Sequence, residues 1–177
     1  MDELTELATK YKADKWGKHH YTPEYYDLFV EGREWLEKVV EMGIGEGASL
    51  RMWHDFFPYA QIYGADIDPD RYVEEPGFPR IKIVECDQSK DSDLDGLIAS
   101  VGSDIDLFVD DGSHIPSHQL STVLAVLPRL DYGVTYVIED VADPTIVDGF
   151  GDLFDYEVVV VGKRYDDRLI ILKHKHG

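Results

Sequence analysis

Residues 38–57 read KVVEMGIGEGASLRMWHDFF. An apolar run ends in a glycine-rich turn, Gly43, Gly45 and Gly47, and a stretch with helical spacing follows. Strand, tight turn and helix in that order open a doubly wound α/β sheet, whose ligands gather outside the carboxyl ends of the strands. The glycines allow a ligand to approach the backbone closely. Gly43, Gly45 and Ala48 fit G-x-G-x-x-A, so a dinucleotide is one candidate. Glu41 argues against it, because a carboxylate at that point repels a pyrophosphate. It suits a ligand with a cationic, amino-acid-like end. Taken alone, the motif also reads as an ordinary strand–helix turn.

The alternation continues outward from this unit. QIYGADI (61–67) and RIKIVECD (80–87) read as strands, and DSDLDGLIASVG (91–102) as a helix carrying Leu94, Leu97, Ile98 and Val101 on one face and closing at Gly102. IDLFVDD (105–111) is a strand, PSHQLSTVLAVLPRL (116–130) a helix and VTYVIEDV (134–141) a strand. YEVVVVG (156–162) and RLIILKHK (168–175) form a final antiparallel hairpin around KRYDD. The predicted fold is α/β, a Rossmann-like doubly wound sheet with right-handed crossovers. The chain is read as one domain, residues 1–177. An N-terminal helical segment spans 1–37 and the Rossmann-like core 38–177.

Strand ends then become the test of function. Asp66 ends the second strand, 19 residues after Gly47, where an acid commonly accepts hydrogen bonds from ribose hydroxyls. Asp87 and Gln88 end the third and suit an adenine edge. Each acid alone is explained as a helix cap or turn former. Together with Glu41 they describe a nucleoside bearing an amino-acid tail, S-adenosylmethionine.

Composition narrows the partners. The formal net charge is −19, from 36 acids against 17 bases. So negative a surface repels nucleic acid and anionic lipid. No run approaches the roughly 18 apolar residues of a membrane span, and the charged N-terminus is not a secretory signal. Cys86 is the one cysteine, so no internal disulfide forms and a reducing cytoplasm is the expected location. Cys86 itself is expected to be a small buried residue, not a nucleophile.

Two further motifs, VDDGSH (109–114) and VIEDV (137–141), carry a resemblance. With the strand ends above and the opening stretch DKWGKHHYTPEYYDLF (14–29), the chain resembles class I S-adenosylmethionine-dependent methyltransferases. Within that family it is similar to the metal-dependent sugar O-methyltransferases of macrolide and related antibiotic biosynthesis, the macrocin and mycinamicin type. The resemblance covers residues 38–175 and implies the strand order 3-2-1-4-5-7-6. It places the fourth and fifth strands side by side and puts a divalent metal on Asp111, Glu139 and Asp140. Oxygen ligands of this kind suit Mg²⁺, with Mn²⁺ or Ca²⁺ as alternatives. The likeness makes His114 the general base. Asp110 is left between metal support and a cofactor contact, and His118 reads as a helix-surface residue. The implied acceptor is a sugar-bearing small molecule. A phenol, catechol or amine acceptor, and a non-catalytic binding module, are the alternatives; a homo-oligomer is left open.

Residues 14–29 mix histidines, tyrosines and lysines. Tyr25, Leu28 and Phe29 are expected to pack onto the sheet. Residues 15–22 are expected to form a mobile cover, with Tyr21 touching the cofactor.

Overall fold

The computed structural model describes residues 1–175; the last two positions of the expected core, 176 and 177, lie outside the described residues. Two helices come first, α1 (Glu3–Tyr11) and α2 (Thr22–Phe29). The core then runs β1 (Lys38–Met42), α3 (Ala48–Phe56), β2 (Gln61–Asp66), β3 (Ile81–Glu85), α4 (Asp91–Val101), β4 (Leu107–Asp110), α5 (Pro116–Val126), β5 (Thr135–Ile138), β6 (Phe154–Val160) and β7 (Arg168–His174). Short 3₁₀ turns fill three of the connections. The sheet order is β3-β2-β1-β4-β5-β7-β6, as the resemblance implied. Strands β1 to β5 pair in parallel, and β7 runs antiparallel to both β5 and β6.

Strand parity decides the layers. Side chains alternate across a sheet, so neighbours in sequence face opposite layers. Val39, Ile62, Leu107, Val109 and Val137 join one buried cluster with α1, α2 and α3. Val40, Ala65, Phe108, Tyr136 and Ile138 join the other, under α4 and α5. Both faces are covered, which explains why β4 and β5 are buried at every position. Two alternating residues of β7 enter each layer, Leu169 and Ile171 against Ile170 and Leu172.

The N-terminal segment packs differently from the expectation in two respects. Tyr25 and Phe29 are buried, but Leu28 is exposed on the outer side of α2. Residues expected as a cover reach inside instead: Lys15, His19 and Tyr21 are all buried. Helix α1 is held onto α3 by Asp55, which accepts from both Lys10 and Tyr11. None of the described helices is long and apolar enough to cross a membrane.

The turn after β1 has almost no tolerance. Gly43 sits at φ +85°, and a Cβ there would lie 2.1 Å from the Asp111 carbonyl oxygen. Backbone meets backbone at that point, so no rotamer change relieves the clash. Gly43→Ala is expected to lower unfolding free energy by at least about 2 kcal/mol, from left-handed strain plus displacement of the β4 end. Urea denaturation of the variant checks this; an unchanged midpoint would show that the turn re-forms freely.

Candidate active site

The carboxyl ends of β1, β2, β3, β4 and β5 meet at one rim. Two adjoining cavities of about 440 Å³ and about 400 Å³ open there, and Gly43, Asp66, Arg71 and Gly112 line both. Gly45 lines the second, and a Cβ on it would meet nothing within 4 Å, so its backbone fronts open space. Gly47 caps the start of α3 at φ +78° and leaves no room for a side chain against the Tyr72 ring. These turns form a cradle lined with backbone, suited to an elongated polar ligand.

Asp66 braces that cradle. Its carboxylate accepts from the Ile44 N–H at 2.9 Å and from the Asp68 N–H at 2.9 Å. Asp87 accepts from the Ser89 N–H and hydroxyl at 3.0 and 2.7 Å, and these bonds, with Lys90, draw its carboxyl down to about 2. Gln88 is a strut between strand ends. It donates to Asp110 at 2.6 Å and accepts from the Ser113 N–H at 2.8 Å. Asp110 is fully enclosed, and burial pushes its carboxyl up to about 7 despite the bonds from Gln88, Gly112 and Tyr136. Asp66, Asp87 and Gln88 line the first cavity; Asp110 is turned into the network beneath it.

The acids of β1, β4 and β5 gather around one cation. Lys15, with no solvent-exposed surface, brings its Nζ to 2.8 Å from Glu41, 3.0 Å from Asp111 and 2.8 Å from Glu139. Burial alone would discharge the lysine; the carboxylates of Asp111, Glu139 and Glu41 instead hold its pKa well above the ordinary value. Glu41 also accepts from the Ser49 hydroxyl at 2.8 Å and has no exposed surface. Tyr25 donates to the second oxygen of Glu139 at 2.6 Å. Tyr21 does the same for Asp140, also at 2.6 Å, and stacks on His19 with ring centroids 4.9 Å apart. His19 in turn faces Asp167 at 3.0 Å.

Of the three acids expected to hold a metal, two converge with the expected base. Asp111, His114 and Asp140 each place one ligand atom within 4.8 Å of the others. His114 Nδ1 lies 3.9 Å from Asp111 Oδ1 and 3.8 Å from Asp140 Oδ2. Glu139 faces inward, toward Lys15 and Tyr25. His114 and Asp140 both adopt left-handed backbone conformations, at φ +56° and +51°. Two strained non-glycine residues side by side are the kind of cost found at functional sites. His118 lines the first cavity and sits 3.0 Å from the Ser113 hydroxyl.

No local pattern marks Tyr25 as a partner of Glu139, or Asp166 and Asp167 as the groups behind Tyr21 and His19. Lys15 was visible only as part of an aromatic and basic stretch. One signal was available: several strand-end carboxylates at one rim need a buried counter-charge.

Comparison with known proteins fits this geometry. No family model matches the chain. The 8-demethyl-8-alpha-L-rhamnosyl tetracenomycin-C 2'-O-methyltransferase of Streptomyces olivaceus is 40% identical over 145 residues, covering 77% of this chain and 37% of that protein. The mycinamicin VI 2''-O-methyltransferase of Micromonospora griseorubida is 38% identical over 146 residues, covering 78% and 36%. Over most of its own length the chain is similar to these O-methyltransferases. Its likeness extends to three dimensions. The MycE methyltransferase of the mycinamycin biosynthetic pathway, solved with Mg, SAH and mycinamycin VI, superposes with a TM-score of 0.74 at 29% identity. That match covers 98% of this chain and 54% of MycE. The chain thus spans little more than a third of the length of the curated relatives it matches.

Cys86 lines the first cavity yet is almost fully buried, and burial pushes its thiol up to about 12. At pH 8 the thiolate fraction is then negligible. Iodoacetamide at pH 8 is expected to leave the folded protein unmodified and to label it fully in urea, as mass spectrometry would show. Rapid labelling of the native chain would place the thiol outside the core.

Proposed function

We propose that this chain is an S-adenosylmethionine-dependent, divalent-metal-dependent O-methyltransferase acting on a hydroxyl of a sugar or glycosylated natural product. The observation that carries the reading is the cluster of Asp111, His114 and Asp140 beside the glycine cradle. Support comes from the named relatives, which methylate sugar hydroxyls, and from MycE, which was solved with Mg and SAH.

The donor set fits a hard divalent cation. Asp111 and Asp140 turn one carboxylate oxygen each toward His114 and keep the other on protein donors. Asp111 and Asp140 would hold Mg²⁺, with Glu139 as the third carboxylate of the expected set; Mn²⁺ or Ca²⁺ are alternatives. The cradle of Gly43, Gly45 and Gly47 fits the donor, with Asp66, Asp87 and Gln88 along its nucleoside side and Glu41 beneath its amino-acid end. When bound, the metal supplies Lewis acidity to the acceptor hydroxyl and the donor supplies its sulfonium methyl.

The chain's own residues do the rest. Asp111 Oδ1 and Asp140 Oδ2 lie on the Nδ1 side of the His114 ring, at 3.9 and 3.8 Å. That leaves Nε2 of His114 to take the hydroxyl proton as the oxygen bonds to the methyl carbon and the carbon–sulfur bond breaks. The cradle and the acid rim align donor and acceptor, so no covalent enzyme intermediate is required. Tyr21 acts through Asp140, holding its carboxylate. The acidic surface fits a neutral or cationic small-molecule acceptor, not nucleic acid or membrane, and we place the protein in the cytoplasm.

Two measurements test the reading. With a rhamnosylated polyketide acceptor and labelled donor, EDTA is expected to abolish turnover and Mg²⁺ to restore it. Full activity in chelator would remove the metal from the mechanism. His114→Ala is expected to lower kcat by about 10²- to 10⁴-fold with donor affinity preserved. A kcat near the wild-type value would take the proton-acceptor role from His114.

A further inference from the structure

Lys15 has no place in that mechanism, yet it contacts the acids the mechanism needs. Its ammonium touches Asp111 Oδ2 and Glu139 Oε2, two of the three carboxylates expected to hold a divalent ion. The third, Asp140, accepts from Tyr21, six residues along the same segment, and lies 3.4 Å from His19 Nε2. That His19 nitrogen is buried and has no hydrogen-bond partner. Residues 15–21 therefore engage every expected ligand. The segment is itself ordered by backbone bonds, His19 N–H to Asp14 and Tyr21 N–H to Lys15, at 3.0 Å each.

An ammonium and a divalent ion cannot share these carboxylates at no cost. Two cations a few ångströms apart repel strongly where solvent is excluded. Glu139 is the clearest case, because one oxygen is on Lys15 and the other on Tyr25. A metal on Glu139 has to share or displace one of these two donors, and Lys15 is the one that carries a competing positive charge.

We propose that Lys15 is a tethered cation that competes with the divalent ion for Asp111 and Glu139, so that metal binding and the seating of residues 13–21 are linked. The inference rests on the metal-dependent reading above. Linkage is reciprocal: if the seated ammonium weakens the ion, the ion loosens the segment by the same factor. Lys15 is thus a positioning residue, holding the acid rim together and setting the metal affinity.

The experiment measures Mn²⁺ binding by electron paramagnetic resonance in the wild-type chain, in Lys15→Met and in Lys15→Met/Glu41→Gln. It also follows amide hydrogen exchange of residues 13–21 in the wild type with and without Mg²⁺. Removing the competing charge is expected to tighten Mn²⁺ binding by about tenfold or more. The double variant removes one positive and one negative group, so it keeps the cluster's net charge and carries the test if the single variant does not fold. Saturating Mg²⁺ is expected to speed exchange in residues 13–21 of the wild type, a readout independent of any variant. Equal or weaker Mn²⁺ affinity in the folded variants, or exchange unchanged by saturating Mg²⁺, overturns the competition and leaves the metal reading standing. If the wild type binds no Mn²⁺ but Lys15→Met does, the competition holds and the metal reading of the native chain falls. If no form binds Mn²⁺, both fall.

Discussion

One buried ammonium holds the working end of this sheet together. Glu41 lies one residue before the end of β1, Asp111 follows β4 and Glu139 follows β5, and Lys15 reaches all three within 3.0 Å. Adjacent strands of a parallel sheet bring their carboxyl ends to the same rim. Three carboxylates there, without solvent, would each carry a desolvation cost of several kcal/mol and would repel one another. The counter-charge comes from a segment before the sheet begins. The N-terminal residues are therefore part of the site's electrostatics, and Tyr21 and Tyr25 extend the same dependence by donating to Asp140 and Glu139.

Around that pairing the backbone is held under constraint. Gly43 passes so close to the Asp111 carbonyl that only a hydrogen fits between them. Gly112, next along, leaves no room for a Cβ against Gln88, which ties Ser113 and Asp110 to the β3 end. His114 and Asp140 then accept left-handed conformations. Strain of this kind persists only where surrounding contacts over-determine the geometry. Here those contacts fix two carboxylate oxygens and an imidazole nitrogen within 4.8 Å of one another.

The strong acidity of the chain divides into two populations. Most carboxylates are solvated surface groups, among them Asp91 and Asp95 on α4. Others are enclosed; at the rim around Lys15, Glu41, Asp110, Glu139 and Asp140 are buried, and Asp111 is close to it. Each of these five has a named donor, Lys15, Gln88, Tyr21, Tyr25 or Ser49. Net charge describes the first population and is silent on the second.

The sheet follows from residue pattern alone. Buried parallel strands must be continuous apolar runs, and the turns between them need glycine or small polar residues, so the periodicity of 38–175 and the glycines at 43, 45 and 47 were legible. The family resemblance carried by DDGSH and IED pointed to Asp111, His114, Glu139 and Asp140, and short-range spacing put them at strand ends. Long-range packing settles where Glu139 turns, that Leu28 faces outward, and that residues 15–21 enter the site. Those outcomes depend on contacts between residues far apart in the chain, 124 positions from Lys15 to Glu139 and 148 from His19 to Asp167. A buried charge is oriented by whichever opposite charge the fold delivers to it, and local spacing carries no record of that partner.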